Sequence, residues 1–287
     1  MTYFNGESVQ LFNRKLHKRT DHYPELHELS SYCHATSVIL DAEVIAFGSD
    51  GKPSFHILMK RDGIKRMERV NSLIKQVPIT EMIFDILYLN GEWLIDLPLT
   101  RRLEILQEVI IPKNNIQIVS SNLEGLPLFQ VMQTHGMEGI LAKRKSSPYL
   151  LNQKSSHWLK IKNYKDIFAL IGGFTLRGET VNAVLLGLYD DEGQFWYIGH
   201  VGTGKMTQQD WRDITKMLKP HLIKNSPFIN QTERESESQW VTPKYVVKVQ
   251  FADWTEGKSL RQPSIQAFVD VSANECLLNQ VEIRPRQ

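Results

Sequence analysis

Most of the chain reads as short runs of alternating apolar and polar residues, the period of a half-buried β-strand. Residues 3–12 read as a hairpin turning at Asn5-Gly6, a dipeptide suited to tight turns between strands. Residues 38–47 form an apolar strand interrupted by Asp41 and Glu43, which alternation sets on one face. Carboxylates in so apolar a strand need partners or a metal. Residues 79–89 form a further strand ending at Asn90-Gly91, with Met82, Phe84, Ile86 and Tyr88 on one face. Helical spacing runs over 100–109, with Thr100 as its cap, and over 127–134, closed by His135-Gly136.

The stretch 138–162 holds two more strands joined by a polar turn. Over 158–162 alternation sets Trp158, Lys160 and Lys162 on one face and Leu159 and Ile161 on the other. From Lys143 to Lys165 there are seven Lys or Arg and no Asp or Glu, a face suited to a polyphosphate or a nucleic-acid backbone. From Asp166 onward, strands at 167–176, 181–189, 195–201 and 244–253 follow closely. One helix over 208–218 starts at Thr207, with Asp210 completing a capping box. Residues 232–239 read as a loop. The class is therefore α+β. Residues 1–164 make a first domain of antiparallel sheets with helices. Residues 165–287 make a small Greek-key barrel of the oligonucleotide-binding (OB) type.

Composition narrows this little. The apolar fraction of 41% and charged fraction of 23% are those of a globular protein. With a net charge of only +2, anion binding must come from local patches. Cys33 and Cys276 have neither disulfide-framework nor zinc spacing and fit a reducing cytoplasm. No apolar run reaches membrane-spanning length, and the first residues are no signal peptide. The basic turn 13–19 suits a solvated loop as well as a phosphate contact.

Several strings, in order, resemble the motifs of one family, the ATP-dependent DNA ligases among the covalent nucleotidyltransferases. The likeness extends to small bacterial ligases with only a nucleotidyltransferase and an OB domain, and to the ligase module of end-joining enzymes. Leu11-Phe12-Asn13-Arg14 resembles the motif whose arginine touches nucleic acid. Leu40-Asp41-Ala42-Glu43 resembles the Asp-Gly-Glu motif, whose glutamate serves nucleotide and metal, with Ala42 in place of the usual glycine. Phe84-Asp85 resembles the motif whose aromatic ring stacks on adenine. Glu138-Gly139-Ile140 with Lys143 resembles the motif whose glutamate serves the metal. Lys160-Ile161-Lys162 resembles the motif whose lysines hold phosphate oxygens. The strings 251–255 and 260–264 resemble the C-terminal signature of end-joining ligase modules.

The resemblance implies ATP and Mg²⁺ as cofactors. Glu43, Phe84, Lys160 and Lys162 would hold the nucleotide, Glu43 and Glu138 the metal, and Arg14, Lys143 and Arg261 nucleic acid. The reaction it implies is sealing of a nick between a 5′-phosphate and a 3′-hydroxyl through AMP intermediates, in repair or recombination. The partner would be nicked double-stranded DNA, met by a cytoplasmic monomer away from membranes, with a Ku-type end-joining protein as a further candidate. Two alternatives stand beside it: a non-catalytic nucleic-acid-binding remnant, and an RNA ligase or capping-type nucleotidyltransferase.

The family begins its chemistry at a lysine in a Lys-x-Asp-Gly string. Lys60-Arg61-Asp62-Gly63 matches that pattern, yet follows Arg14 and Glu43, which the family's lysine precedes. We read residues 60–66 as a basic, surface, helix-starting segment and Lys60 as a decoy. The opening hairpin reads as lacking a partner strand, so the nucleophile is expected upstream of Met1. On that reading the chain alone does not perform the first step.

Overall fold

The computed structural model describes residues 1–153, 155–202, 204, 206–255 and 257–280. Lys154, one of the seven cations counted above, lies outside the described residues. Two compact units emerge, Met1–Val131 with Ile140–Ile161, and Met132–Gly139 with Lys162–Gln287.

In the first unit, β1 (Thr2–Phe4) and β2 (Val9–Leu11) form the expected hairpin. The Asn5 carboxamide oxygen accepts the amides of Glu7 and Ser8 at 3.1 and 2.8 Å, and Gly6 adopts φ +92°. Such side-chain-to-backbone bonds make Asn a turn residue. β1 also pairs with β3 (Val38–Ala46), so the opening strand is partnered on both edges, contrary to the sequence reading. β3 pairs with β4 (Ile79–Leu89), which takes β5 (Glu92–Trp93) on one side and β6 (Ile116–Ile118) in parallel. Leu26, Leu29, Leu40, Ile83, Ile86 and Leu106 are fully buried behind this sheet. Each contributes roughly 1.5–3 kcal/mol of apolar burial.

Four helices complete the unit's sequence: α1 (Phe55–Asp62), α2 (Val70–Gln76), α3 (Leu99–Val109) and α4 (Gly125–Thr134). Thr100 does not cap α3. Pro98 occupies the cap position, and the Leu99 and Thr100 amides donate to the carbonyls of Ser147 and Lys145 at 2.9 and 3.2 Å. The first-turn donors are thus satisfied by backbone rather than by a hydroxyl. β7 (Gly139–Lys143) and β8 (Trp158–Lys162) form a separate two-stranded ribbon. The apolar face expected on β8 is not covered: Leu159 is 56% exposed and Ile161 42%.

Residues 60–62 end a helix rather than start one, and Arg61 is not at the surface. Its guanidinium donates to both oxygens of Glu25, to the His22 carbonyl at 2.9 Å and to the Val77 carbonyl at 3.2 Å, and it lies over the Tyr23 ring. Asp62 accepts from Tyr23 Oη at 2.8 Å and pairs with Arg19. A fork of five donors can be buried only where acceptors meet all sides of it, and residues 22–25 together with Val77 supply them. Lys60 remains exposed.

In the second unit, β9 (Lys165–Arg177) is the spine. One edge pairs with β10 (Thr180–Tyr189), which continues to β11 (Phe195–Val201). The other edge is shared: its first half pairs with β14 (Val246–Phe251) and its second with β13 (Ser238–Val241). β12 (Leu222–Ile223) extends β13, while β17 (Ser264–Val269) extends β14. β15 (Asp253–Trp254) and β16 (Leu260–Arg261) form a small ribbon. α5 (Gln208–Leu218) carries the expected capping box of Thr207 and Asp210. The loop expected over 232–239 runs two residues into β13, whose state is decided by pairing with β9 and not by local propensity. At Gly187 a Cβ would meet the Phe195 ring at 2.4 Å, so this position of β10, beside a bulge in β11, admits no side chain.

Two stability predictions follow from these contacts. Arg61→Met leaves Glu25 unpaired and should cost about 3–5 kcal/mol in urea denaturation, whereas Lys60→Ala should stay within about 0.5 kcal/mol. Glu81, buried on β4, is bonded by the Thr2 hydroxyl through Oε1, while Oε2 has no partner among the described residues. Burial pushes its carboxyl above the ordinary 4.5, and the Thr2 bond draws it partly back. The folded state therefore favours the proton, so wild-type stability falls as pH rises from about 4.5 through the raised value. Glu81→Gln should be more stable than wild type at pH 8 by about 1–3 kcal/mol. Thermal melts across pH should show that advantage disappearing below the ordinary carboxylate range.

Candidate functional site

The pairing of β3 with β4 brings two acids face to face, Asp41 opposite Asp85. Like charges opposed across a strand pair are destabilising unless neutralised. The register slips on both sides of this pair. Asp41 faces Asp85 while Ala42 faces Ile83, so Phe84 is an extra residue of β4 without a partner on β3. Leu87 is a second one, between the Ile39–Tyr88 and Leu40–Ile86 pairs. Bulges of this kind re-aim a side chain. They also break the strict alternation expected for β4, where Asp85, Ile86 and Leu87 are buried in succession.

Three side chains neutralise the acids. Arg102 of α3 is fully buried and grips Asp85 through two bonds, 2.7 and 3.0 Å, while donating to the carbonyls of Leu97 and Ser147. Tyr149 donates its hydroxyl to Asp41 at 2.5 Å, and its ring lies beneath the Arg102 guanidinium and edge-on to Trp158. Lys143 of β7 sets its ammonium 3.9 Å from the Trp158 ring centre and 4.7 Å from that of Phe84. Burial raises the Asp41 carboxyl, with the Tyr149 bond drawing it down. Burial lowers the Lys143 amine, with Asp85 and Asp41 drawing it up. An open hollow of about 350 Å³ beside Lys143 is lined by Arg144, Ser156, His157 and Leu159 as well.

The other sequence-selected residues of this unit are at its surface. Glu43 is exposed on β3, Arg14 in the turn after β2, and Lys160 on β8. In the second unit, Glu138 is exposed and its carboxylate accepts from Arg261 of β16. Lys162 donates to the Gln262 side chain at 2.7 Å. Among the described residues no three His, Cys, Asp or Glu side chains gather as a metal cage. Mg²⁺ is commonly held by one or two carboxylates together with substrate phosphates, so a single exposed glutamate such as Glu43 or Glu138 suits it.

Sequence reasoning missed Arg102 and Tyr149, and named Asp85 in a motif without giving it a role. A signal for Arg102 existed: Leu99, Arg102, Leu106 and Val109 repeat at helical spacing, so one cation sits in the apolar stripe of α3. An unexplained charge there calls for a buried acid, and Asp85 lies inside an apolar strand. Tyr149 gave no comparable sign, because its partner is 108 residues away.

Comparison with known proteins adds an independent line. The family model for the ATP dependent DNA ligase domain matches residues 1–162, and that for the ATP dependent DNA ligase C terminal region matches residues 177–270. A probable DNA ligase of Dictyoglomus thermophilum is 31% identical over 91% of this chain and 50% of its own length. DNA ligase 2 of Methanosarcina acetivorans is 32% identical over 75% of this chain and 40% of its own. The chain thus spans about half the length of such relatives, or less. A solved structure from a study of Lig E DNA ligases shares the fold, with a TM-score of 0.55 at 15% identity over 93% of this chain and 88% of its own. The fold is that of a nucleotidyltransferase domain followed by an OB-type barrel. With one ligase model over its first 162 residues and a second over most of the remainder, the chain belongs to the ATP-dependent DNA ligase family.

Proposed function

We propose that this chain carries out the nick-sealing chemistry of a DNA ligase, with a nucleotidyltransferase domain at 1–164 and an OB domain at 165–287. The observation that carries the reading is Phe84, lifted out of the strand ladder by a bulge and bordered by the acids of β3. A ring so presented suits stacking on adenine. Glu43 and Glu138 offer oxygen ligands for Mg²⁺, which would balance phosphate charge. At Glu138 the metal would compete with Arg261. Lys160 and Lys162 serve as point cations toward phosphate oxygens. Arg14 and Arg261 are the proposed DNA contacts, which makes binding salt-sensitive and largely indifferent to sequence. The likeness to end-joining modules supports work in repair or recombination, with a Ku-type protein as candidate partner.

In the sealing step the 3′-hydroxyl oxygen bonds to the 5′-phosphorus, the bond from that phosphorus to AMP breaks, and the hydroxyl proton is released. Protein help is positioning and charge neutralisation. Lys60 is not the proposed nucleophile, since its neighbours Arg61 and Asp62 serve packing and it stands exposed at a helix end.

A nicked duplex carrying a preadenylated 5′ end, incubated with Mg²⁺ and the full chain, tests this. Sealed product is expected, falling about 10²–10³-fold in Lys160→Ala or Lys162→Ala. Labelled ATP should leave no covalent adduct that Lys60→Ala removes. An adduct lost in that variant would overturn the assignment of Lys60. Faster sealing of an RNA nick would favour an RNA ligase, and tight binding without sealing a non-catalytic binder.

A further inference from the structure

Lys143 does not behave as a nucleic-acid contact. A lysine reaching for phosphate keeps its head in water. Here the head lies between two aromatic rings, and its hydrogen bond to the Phe84 carbonyl is long, at 3.5 Å. Lys143 is half-buried, and an ammonium drawn even partly out of water needs other groups to compensate it. The rings supply their negative faces. Asp41 and Asp85 supply opposite charge from the strand pair behind. Arg102 already commits its fork to both oxygens of Asp85, whereas Tyr149 brings Asp41 only a neutral hydroxyl, which leaves the Asp41 carboxylate to a further cation. The bond to Phe84 falls on the backbone of the bulged residue itself.

We propose that Lys143 is a positioning residue for Phe84: its ammonium, seated between Phe84 and Trp158 and serving the opposed carboxylates Asp41 and Asp85, holds the bulge in the shape that presents the Phe84 ring to adenine. The proposal rests on the reading of Phe84 as an adenine platform. It assigns Lys143 to base recognition and removes it from the DNA contacts. Lys143 touches no phosphate in this account, so its loss weakens adenine binding and leaves phosphate binding intact.

The full chain is titrated with ATP and, separately, with inorganic tripolyphosphate, which lacks the base. Phe84→Leu should lower ATP affinity and spare tripolyphosphate. Lys143→Met should do the same, by roughly 3- to 30-fold. Lys143→Arg, which restores a cation between the rings, should recover most of the loss. An equal fall for both probes would make Lys143 a phosphate ligand and overturn the proposal, as would an unchanged ATP affinity. Should Phe84→Leu leave ATP binding unaltered, the adenine reading itself fails and the inference with it. A salt titration of nicked-duplex binding gives a second readout. The slope should be the same in Lys143→Met as in wild type, and a slope lower by about 1 would mark a DNA phosphate contact. If Lys143→Met does not fold, Trp158→Leu removes the opposite ring and should give the same selective loss for ATP; ATP affinity equal to wild type in that variant overturns the proposal.

Discussion

The first unit depends on the confrontation of Asp41 and Asp85 across β3 and β4. Two carboxylates opposed on a strand pair repel, and burial makes the repulsion costlier. Their neutralisation draws in α3 through Arg102, the segment after β7 through Tyr149, and β7 itself through Lys143. Ser147 contributes twice, with its carbonyl accepting both from Arg102 and from the first amide of α3. One electrostatic problem thereby fixes pieces of chain far apart in sequence. The same region carries the register slips at Phe84 and Leu87. Replacing the acids by apolar residues would remove the repulsion, but also the reason for Arg102, Lys143 and Tyr149 to converge.

Arg61 offers a parallel with a different outcome. It too is a buried guanidinium gripping a carboxylate, but unlike Arg102 it stands in a string that looks catalytic. Its partners are Glu25 and the His22 carbonyl, which join α1 to the segment before β3, and the Val77 carbonyl at the end of α2. Nothing around it presents an aromatic ring from a bulge or an opposed acid pair. The string around Arg61 does not show that it serves packing; the acceptors around it do.

Strands with strong alternation and signalled ends were legible: β4, β11 and α5 fall on the expected residues, and β9 and β10 within two of them. Two kinds of feature were not. β13 is a strand only because β9 offers an edge, a long-range contact without local trace. The bulges at Phe84 and Leu87 arise from relative register, which periodicity within one strand does not encode. Candidate site residues such as Glu43, Phe84 and Lys160 were visible through their motifs. The network that supports Phe84 was half visible, since Arg102 announces itself as a charge in an apolar helix face while Tyr149 does not.

The most direct measurement is a double-mutant cycle between Asp85→Asn and Arg102→Met, with unfolding free energies from urea denaturation. If the opposed acids and their cations organise the unit, the two changes are strongly coupled, with an interaction energy of about 1.5–3 kcal/mol. Losses that add to within about 0.5 kcal/mol would show that the pair does not act as one element, and would contradict this account.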